Sequence, residues 1–196
     1  MSFYIVLEGI DGSGKTTQAA RLAERLGALL VAEPTKSPIG TLIRERINAG
    51  ELNPAVMVRL FAADRHDLVE RVIGPALAEG RTVVSDRNLA SSLVYQPEGD
   101  LTVDAVYDLN TKGSPLPVPD LLIVVRVSLG EATRRLQETR GHTDAFETTS
   151  ALERHQGRYD VLGEFVRWPV VYVDGEADPD EVAKRVWLAV EEMLDH

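Results

Sequence analysis

Eight residues near the start, Gly9-Ile10-Asp11-Gly12-Ser13-Gly14-Lys15-Thr16, constrain this chain more than any other stretch. They fit the spacing G-x-x-x-x-G-K-[ST]. They follow the apolar run Phe3-Tyr4-Ile5-Val6-Leu7 and precede the helical pattern Gln18-Ala19-Ala20-Arg21-Leu22. A strand, then a glycine turn, then a helix is the context in which this spacing builds a phosphate-binding loop. The glycines let the backbone turn tightly, so that successive N–H groups point at one anion. The first turn of the following helix adds partial positive charge and unpaired donors. Lys15 can reach outer phosphates, and the Thr16 hydroxyl can ligate a magnesium ion that bridges them. The bland alternative, a glycine-rich turn that binds nothing, is disfavoured because pattern and context agree.

Strand-like and helix-like segments alternate along the rest of the chain. Strands are expected at 3–8, 28–32, 81–85, 121–125 and 169–173. Helices are expected at 15–27, 39–48, 54–79, 88–96, 102–111, 129–138, 150–166 and 178–194, with a polar stretch at 139–149. Pro54 suits the first turn of the long helix, and Gly80 falls just past its end. The strand segments are continuous β-branched runs, the pattern of strands covered on both faces. Strands alternating with helices predict an α/β fold with a parallel sheet and right-handed crossovers. Ligands on such sheets lie beyond the strand C-termini. Four features follow strands directly: the glycine loop, Glu33-Pro34, Asp86-Arg87 and Asp174-Gly175. No internal repeat, low-complexity run or linker interrupts the pattern, so one domain over 1–196 is expected.

Net charge is −10 over 196 residues. So acidic a surface argues against nonspecific binding to nucleic acid or anionic lipid, and an anionic ligand must be captured by a few placed cations. The chain has no cysteine, which excludes disulfides and thiolate metal sites. No basic leader precedes the first strand, and no apolar stretch is long enough to span a bilayer. A cytoplasmic protein without a membrane or nucleic-acid partner is the expectation.

A phosphate loop alone suits kinases, GTPases, motor ATPases and plain nucleotide-binding modules. The nearest approach to an Asn-Lys-x-Asp guanine reader is Asn110-Thr111-Lys112-Gly113, which has an intervening Thr and no acid. A small kinase with a second, acceptor pocket is what remains. Phe61 and Arg65 lie one helical turn apart on one face. An aromatic plane beside a forked donor suits a flat heterocycle with carbonyl edges. On spacing alone, the plainer alternative of Phe61 in the core and Arg65 paired with a nearby acid stands ahead of it. Arg87 follows a buried strand and Arg44 sits on a short helix, and two arginines can hold a monophosphate bidentately.

Taken together, the segments Leu7-Glu8-Gly9-Ile10-Asp11-Gly12-Ser13-Gly14-Lys15-Thr16-Thr17-Gln18, Glu33-Pro34 with Pro38-Ile39-Gly40, Leu60-Phe61-Ala62-Ala63-Asp64-Arg65, and Ser85-Asp86-Arg87 with Ser91-Ser92-Leu93-Val94-Tyr95-Gln96 resemble the thymidylate kinase family. Pro119-Asp120-Leu121-Leu122 and Arg140-Gly141-His142-Thr143-Asp144 extend the match in the family's order over most of the chain. The spacing after Glu33-Pro34 is closest to the family's archaeal branch. The resemblance implies a P-loop NTPase-type fold: a parallel five-stranded sheet flanked by helices, with a small lid at about 139–149. It implies transfer of the ATP γ-phosphate to dTMP, with ATP and Mg2+, in a homodimer.

The resemblance also distributes roles. The loop residues Gly9, Asp11, Gly12, Ser13, Gly14, Lys15, Thr16 and Thr17 would hold ATP, joined by Arg135 and Arg140. Thr16 and Asp86 would hold magnesium. Asp11, Glu33, Pro34, Arg44, Phe61, Arg65, Arg87, Ser91, Ser92, Tyr95 and Gln96 would form the dTMP site. There Phe61 would stack on thymine, Arg65 would bond its carbonyl edge, and Arg44 and Arg87 would take the phosphate. Asp11 would face the sugar near its 3′-hydroxyl, and Tyr95 would crowd the 2′ position. Lys15, Asp11, Arg87 and the lid's Arg140 would act in transfer. The chain departs from the family at Asn88, Ala32, Gly12 and Ala145, where relatives often carry Tyr or Arg. Another P-loop kinase of small acceptors, or an idle nucleotide-binding protein, is the alternative.

Overall fold

In the computed structural model, residues 2–140 and 149–195 are described, with the backbone alone at 139, 140 and 149. Five parallel strands form one sheet in the order β2-β3-β1-β4-β5. They are β1 (Tyr4–Glu8), β2 (Leu29–Ala32), β3 (Val83–Asp86), β4 (Leu121–Arg126) and β5 (Val170–Asp174). Every residue of β1 is buried, because both faces of this central strand are covered. Tyr4 and Val6 join one core with Val83, Leu122 and Val124. Ile5 and Leu7 join the other with Val84, Ile123 and Val125. The two-residue period of a strand thus splits one apolar run between two layers. Each fully buried aliphatic side chain contributes about 1.5–3 kcal/mol.

The second core is closed by α1 (Lys15–Leu26) and α10 (Pro179–Leu194), through Ala19, Leu22, Val182, Val186 and Val190. The first is closed by α3 (Pro54–Leu68), α5 (Leu89–Tyr95), α6 (Val103–Thr111), α7 (Leu129–Arg140) and α8 (Thr149–Asp160). Shorter helices complete the set: α2 (Pro38–Asn48), α4 (Gly74–Ala78) and α9 (Leu162–Phe165).

Of two long helices expected, one is continuous but carries a wider turn, and the other breaks. The segment 54–79 is α3, a π-turn at Val69–Ile73 and α4. Pro75 is the reason: it has no N–H for the carbonyl of Arg71, and its ring would press on that carbonyl in a regular helix. A wider turn just before it relieves the clash. The segment 150–166 breaks at Val161, whose φ of −110° and ψ of 14° leave the helical region. Arg126 takes up the exposed end, pairing with the Asp160 carboxylate at 2.8 Å and donating to its carbonyl at 3.4 Å.

Strand register decides where the functional loops meet. Leu7 and Ala32 both align with Asp86 on β3. The Arg87 N–H donates to the Leu7 carbonyl at 3.0 Å, and the Glu33 N–H to the Asp86 carbonyl at 3.1 Å. The glycine loop, Glu33-Pro34 and Asp86-Arg87 therefore emerge side by side at the carboxyl end of the sheet. The connections that leave β1 and β4 run to opposite sides of it, so a crevice opens above those strands.

Candidate active site

The glycine loop closes tightly before α1. Ser13 N–H donates to the Ile10 carbonyl at 3.1 Å, and Gly14 adopts φ 90° as the residue that caps the helix. At Gly12, with φ 82°, a Cβ would lie 2.5 Å from the Ala132 carbonyl oxygen of α7. Only glycine fits there, so this chain has no room for an arginine at that point of the loop.

Lys15 is buried in the first turn of α1, and its Nζ lies 3.2 Å from Asp11 and 3.5 Å from the Ile10 carbonyl. Burial pulls its pKa down, Arg87 adds to that, and Asp11 opposes both. The same Asp11 carboxylate accepts from the Arg87 guanidinium. One acid thus holds a buried lysine and a half-buried arginine together at the mouth of the loop. Thr16 donates its hydroxyl to Asp86 Oδ2 at 2.6 Å. The other oxygen, Oδ1, is buried and has no hydrogen-bond partner among the described residues. A hydroxyl and a spare carboxylate oxygen, facing the phosphate loop, fit an oxygen-seeking cation that completes its shell with phosphate and water.

Arg87 has φ 77°, in the left-handed region, the one non-glycine residue so placed among those described. Such a conformation costs of order 1–3 kcal/mol and persists only where neighbours enforce it. They do so here: Leu7 accepts from its N–H, and Ser85 Oγ donates to its carbonyl at 2.6 Å. The guanidinium then reaches Ser91 Oγ at 2.9 Å and lies 5.0 Å from the centre of the Tyr95 ring.

Beneath it, Glu8 ends β1 fully buried. It accepts from the N–H groups of Asn88 and Ser91, from Ser91 Oγ and from the Tyr159 hydroxyl at 2.7–3.0 Å. These bonds fix the start of α5 against the sheet and α8 against α5. The Asn88 side chain caps α5 by accepting from Ala90 N–H at 2.8 Å, so this departure from the family pattern supplies a helix cap.

Two cavities open here, one against the glycine loop and one against Asp11 and Arg87. One, of about 420 Å³, is lined by Ser13, Gly14, Thr17, Arg135 and the 175–179 loop. Arg135 pins this corner, donating to the Ser13 and Gly12 carbonyls and to the Gly175 carbonyl at 2.9 Å. Glu131, hydrogen-bonded to Arg134 and then Arg135, has its carboxyl held down to about 2. The second cavity, of about 580 Å³, is lined by Asp11, Pro34, Arg44, Phe61, Arg87, Ser91, Ser92, Tyr95 and Gln96. Arg44 is held at its edge by the Pro34 carbonyl at 2.6 Å, after a cis Glu33–Pro34 bond.

Two residues expected in the second cavity stand behind its wall. Arg65 gives its donors to Glu33 at 2.7 Å, to Asn110, to the Asn88 carbonyl and to Ser92 Oγ. Both side chains of the Arg65–Glu33 pair are 3% exposed. Burial pushes the Glu33 carboxyl above the usual carboxylate range, and Arg65 pulls against it. A guanidinium buried this deeply needs its N–H groups paired within the protein, which turns it away from an open pocket. Asp64, the sequence neighbour, instead accepts from Thr35 and Ser37. Of the loop residues, Gly9, Gly12, Lys15 and Thr16 line neither cavity. The expected lid at about 139–149 and the Arg140 side chain lie outside the described residues.

Sequence reading missed Glu8, Asn110, Arg154 and His155, the last two in the wall of the second cavity. Glu8 carried a signal: a carboxylate ending an apolar strand has to be paired. The other three carried none, since their partners are set by tertiary contacts.

A sequence model described as thymidylate kinase matches residues 7–186. A probable thymidylate kinase of Pyrobaculum calidifontis is 35% identical over 97% of this chain and 97% of its own length. One from Pyrococcus abyssi is 40% identical over 78% of each chain. A thymidylate kinase of Xanthomonas euvesicatoria is 35% identical over 92% of this chain and 80% of its own.

Proposed function

The chain belongs to the thymidylate kinase family, and on that premise we infer that it transfers the γ-phosphoryl group of ATP to dTMP, giving dTDP and ADP. One observation carries this reading beyond membership. One cavity runs along the glycine loop at Ser13, Gly14 and Thr17, and a second, floored by Phe61 and edged by Arg44 and Arg87, reaches Asp11, the acid shared by Arg87 and the loop's Lys15.

The nucleophile is a phosphate oxygen of dTMP. With a second pKa near ~6, that phosphate is largely dianionic at neutral pH, so the reaction needs no strong base. It needs two anions brought into line and their charge offset. Lys15 and Arg87 supply that charge. Before the nucleotides arrive, Asp11 satisfies both cations. Phosphate oxygens then take over as partners, and Asp11 turns to the sugar. Phe61 offers a flat face for thymine, worth about 1–3 kcal/mol as base stacking. Thr16 and the spare oxygen of Asp86 would hold Mg2+, which would supply positive charge against that of the phosphates. Arg135 keeps the glycine loop in shape, and Arg140 at the lid is the candidate cation for the transferring group.

We take the whole chain as one kinase domain acting in the cytoplasm. We further take it to be a homodimer. Exposed apolar side chains on α2 (Leu42), α3 (Val56) and α6 (Tyr107, Leu109) support an interface there. No helix among the described residues is long and apolar enough to cross a membrane. The test of function is a coupled assay of ADP release with ATP, Mg2+ and a panel of nucleoside monophosphates. Release that depends on dTMP is the expected result. Tight ATP binding with no release in the presence of dTMP would instead favour an idle nucleotide-binding protein.

A further inference from the structure

Tyr95 is the last residue of α5, a helix of seven residues. A side chain in so short a terminal turn gains little orientation from its own helix. Contacts from elsewhere must set the ring, and most come from α8. Arg158 donates to the carbonyls of Val94 at 2.6 Å and Pro97 at 2.9 Å, which closes the open end of α5. Tyr159 meets Tyr95 edge-on, with centroids 6.2 Å apart. His155 lies against it, with centroids 4.1 Å apart and planes tilted by 38°.

His155 is 3% exposed and lines the second cavity. Its Nδ1 is buried with no hydrogen-bond partner among the described residues. The ring is therefore held by contact, and among the described residues its ring contact is Tyr95. Arg87 approaches Tyr95 as well, at 5.0 Å. The Tyr95 ring thus sits among Arg87, Tyr159 and His155.

Resting on the reading of the second cavity as the dTMP site, we propose that His155 is a positioning residue for sugar selection. Its ring packs on Tyr95 and holds it as a fixed wall beside the sugar's 2′ position. A wall that cannot yield rejects a 2′-hydroxyl, whereas one free to swing admits it. His155 itself need not touch the nucleotide. What it supplies is a flat, neutral ring, and a flat ring without nitrogens supplies the same.

The test compares wild type, His155→Ala and His155→Phe, each assayed with dTMP and with ribothymidine monophosphate. The readout is the ratio of kcat/KM for the deoxy over the ribo substrate. His155→Ala is expected to lower this ratio about fivefold, on the scale of one lost aromatic pair. The KM for ATP should stay where it is. His155→Phe is expected to keep the wild-type ratio. A merely structural role would lower activity with both substrates together and leave the ratio alone, and that result would overturn the proposal. So would a Phe variant as permissive as the Ala variant. Wild-type protein that does not phosphorylate dTMP at all would instead strike the reading of the pocket.

Discussion

Removing the guanidinium of Arg65 separates two roles that its position allows, reader of a base edge or anchor for a buried acid. Arg65 and Glu33 are each 3% exposed and joined at 2.7 Å. Arg65→Ala strands the Glu33 carboxylate without its partner, in a place where water cannot reach it. Breaking a buried pair from one side costs about 3–5 kcal/mol. For a chain of this size that lowers Tm by of order 10 °C. The loss also has a pH signature. An unpaired, buried Glu33 has a folded pKa above its unfolded value, so its contribution is favourable below the unfolded pKa of about 4.3 and is lost as pH rises. The variant's deficit against wild type should therefore be large at pH 7 and shrink toward pH 4. The double variant Arg65→Met with Glu33→Met leaves no stranded charge and should regain most of the stability. Denaturation followed by circular dichroism, with dTMP kinetics well below each Tm, makes the measurement. Unchanged stability with a dTMP KM raised tenfold or so would refute the anchoring argument and return Arg65 to the base edge.

Phe61→Ala should raise the dTMP KM by about tenfold or more, in line with one lost stacking contact, and leave the ATP KM within about twofold; initial rates at varied substrate decide it. Gly12→Ala forces both a φ of 82° on a residue with a Cβ and a contact of 2.5 Å with the Ala132 carbonyl. It should lose about 1–3 kcal/mol in a melt and most of the turnover, because the loop must shift. Burial, then Arg158 and Arg154, press the His155 pKa from 6.5 to about 4, with Asp11 pulling the other way. A base with a depressed folded pKa adds stability above its unfolded pKa that is lost as pH falls toward the folded one. Wild type should thus lose stability of order 2 kcal/mol between about pH 6.5 and 4 from this group, and a pH series of melts on His155→Phe should show a flatter acid arm.

The layered sheet could be read from the chain because its evidence is local. Five β-branched runs separated by helical patterns leave few other folds, and the post-strand loops had to lie at one end of a parallel sheet. In the second cavity Arg87 was legible from its place after a buried strand, whereas Ser91, Tyr95 and Gln96 were expected only through the family resemblance. What escaped depended on contacts between distant elements. The pairing of Arg65 with Glu33 needs β2 beside β3 and α3 above them, a juxtaposition that helical spacing does not encode. The π-turn in the long helix has its cause in Pro75 but was masked by the apolar pattern that runs through it. Glu8 looked like part of the loop motif, although its carboxylate is spent on Asn88, Ser91 and Tyr159. His155 resembles any histidine on an amphipathic helix until Tyr95 is placed against it.

The most direct test of end-to-end nucleotides around one charged cluster is a crystal of the protein soaked with dTMP. The account predicts the thymine ring lying on Phe61, with the phosphate between Arg44 and Arg87 and pointing toward Lys15. Density for the pyrimidine along the glycine loop, or for the phosphate away from Arg87, would contradict it.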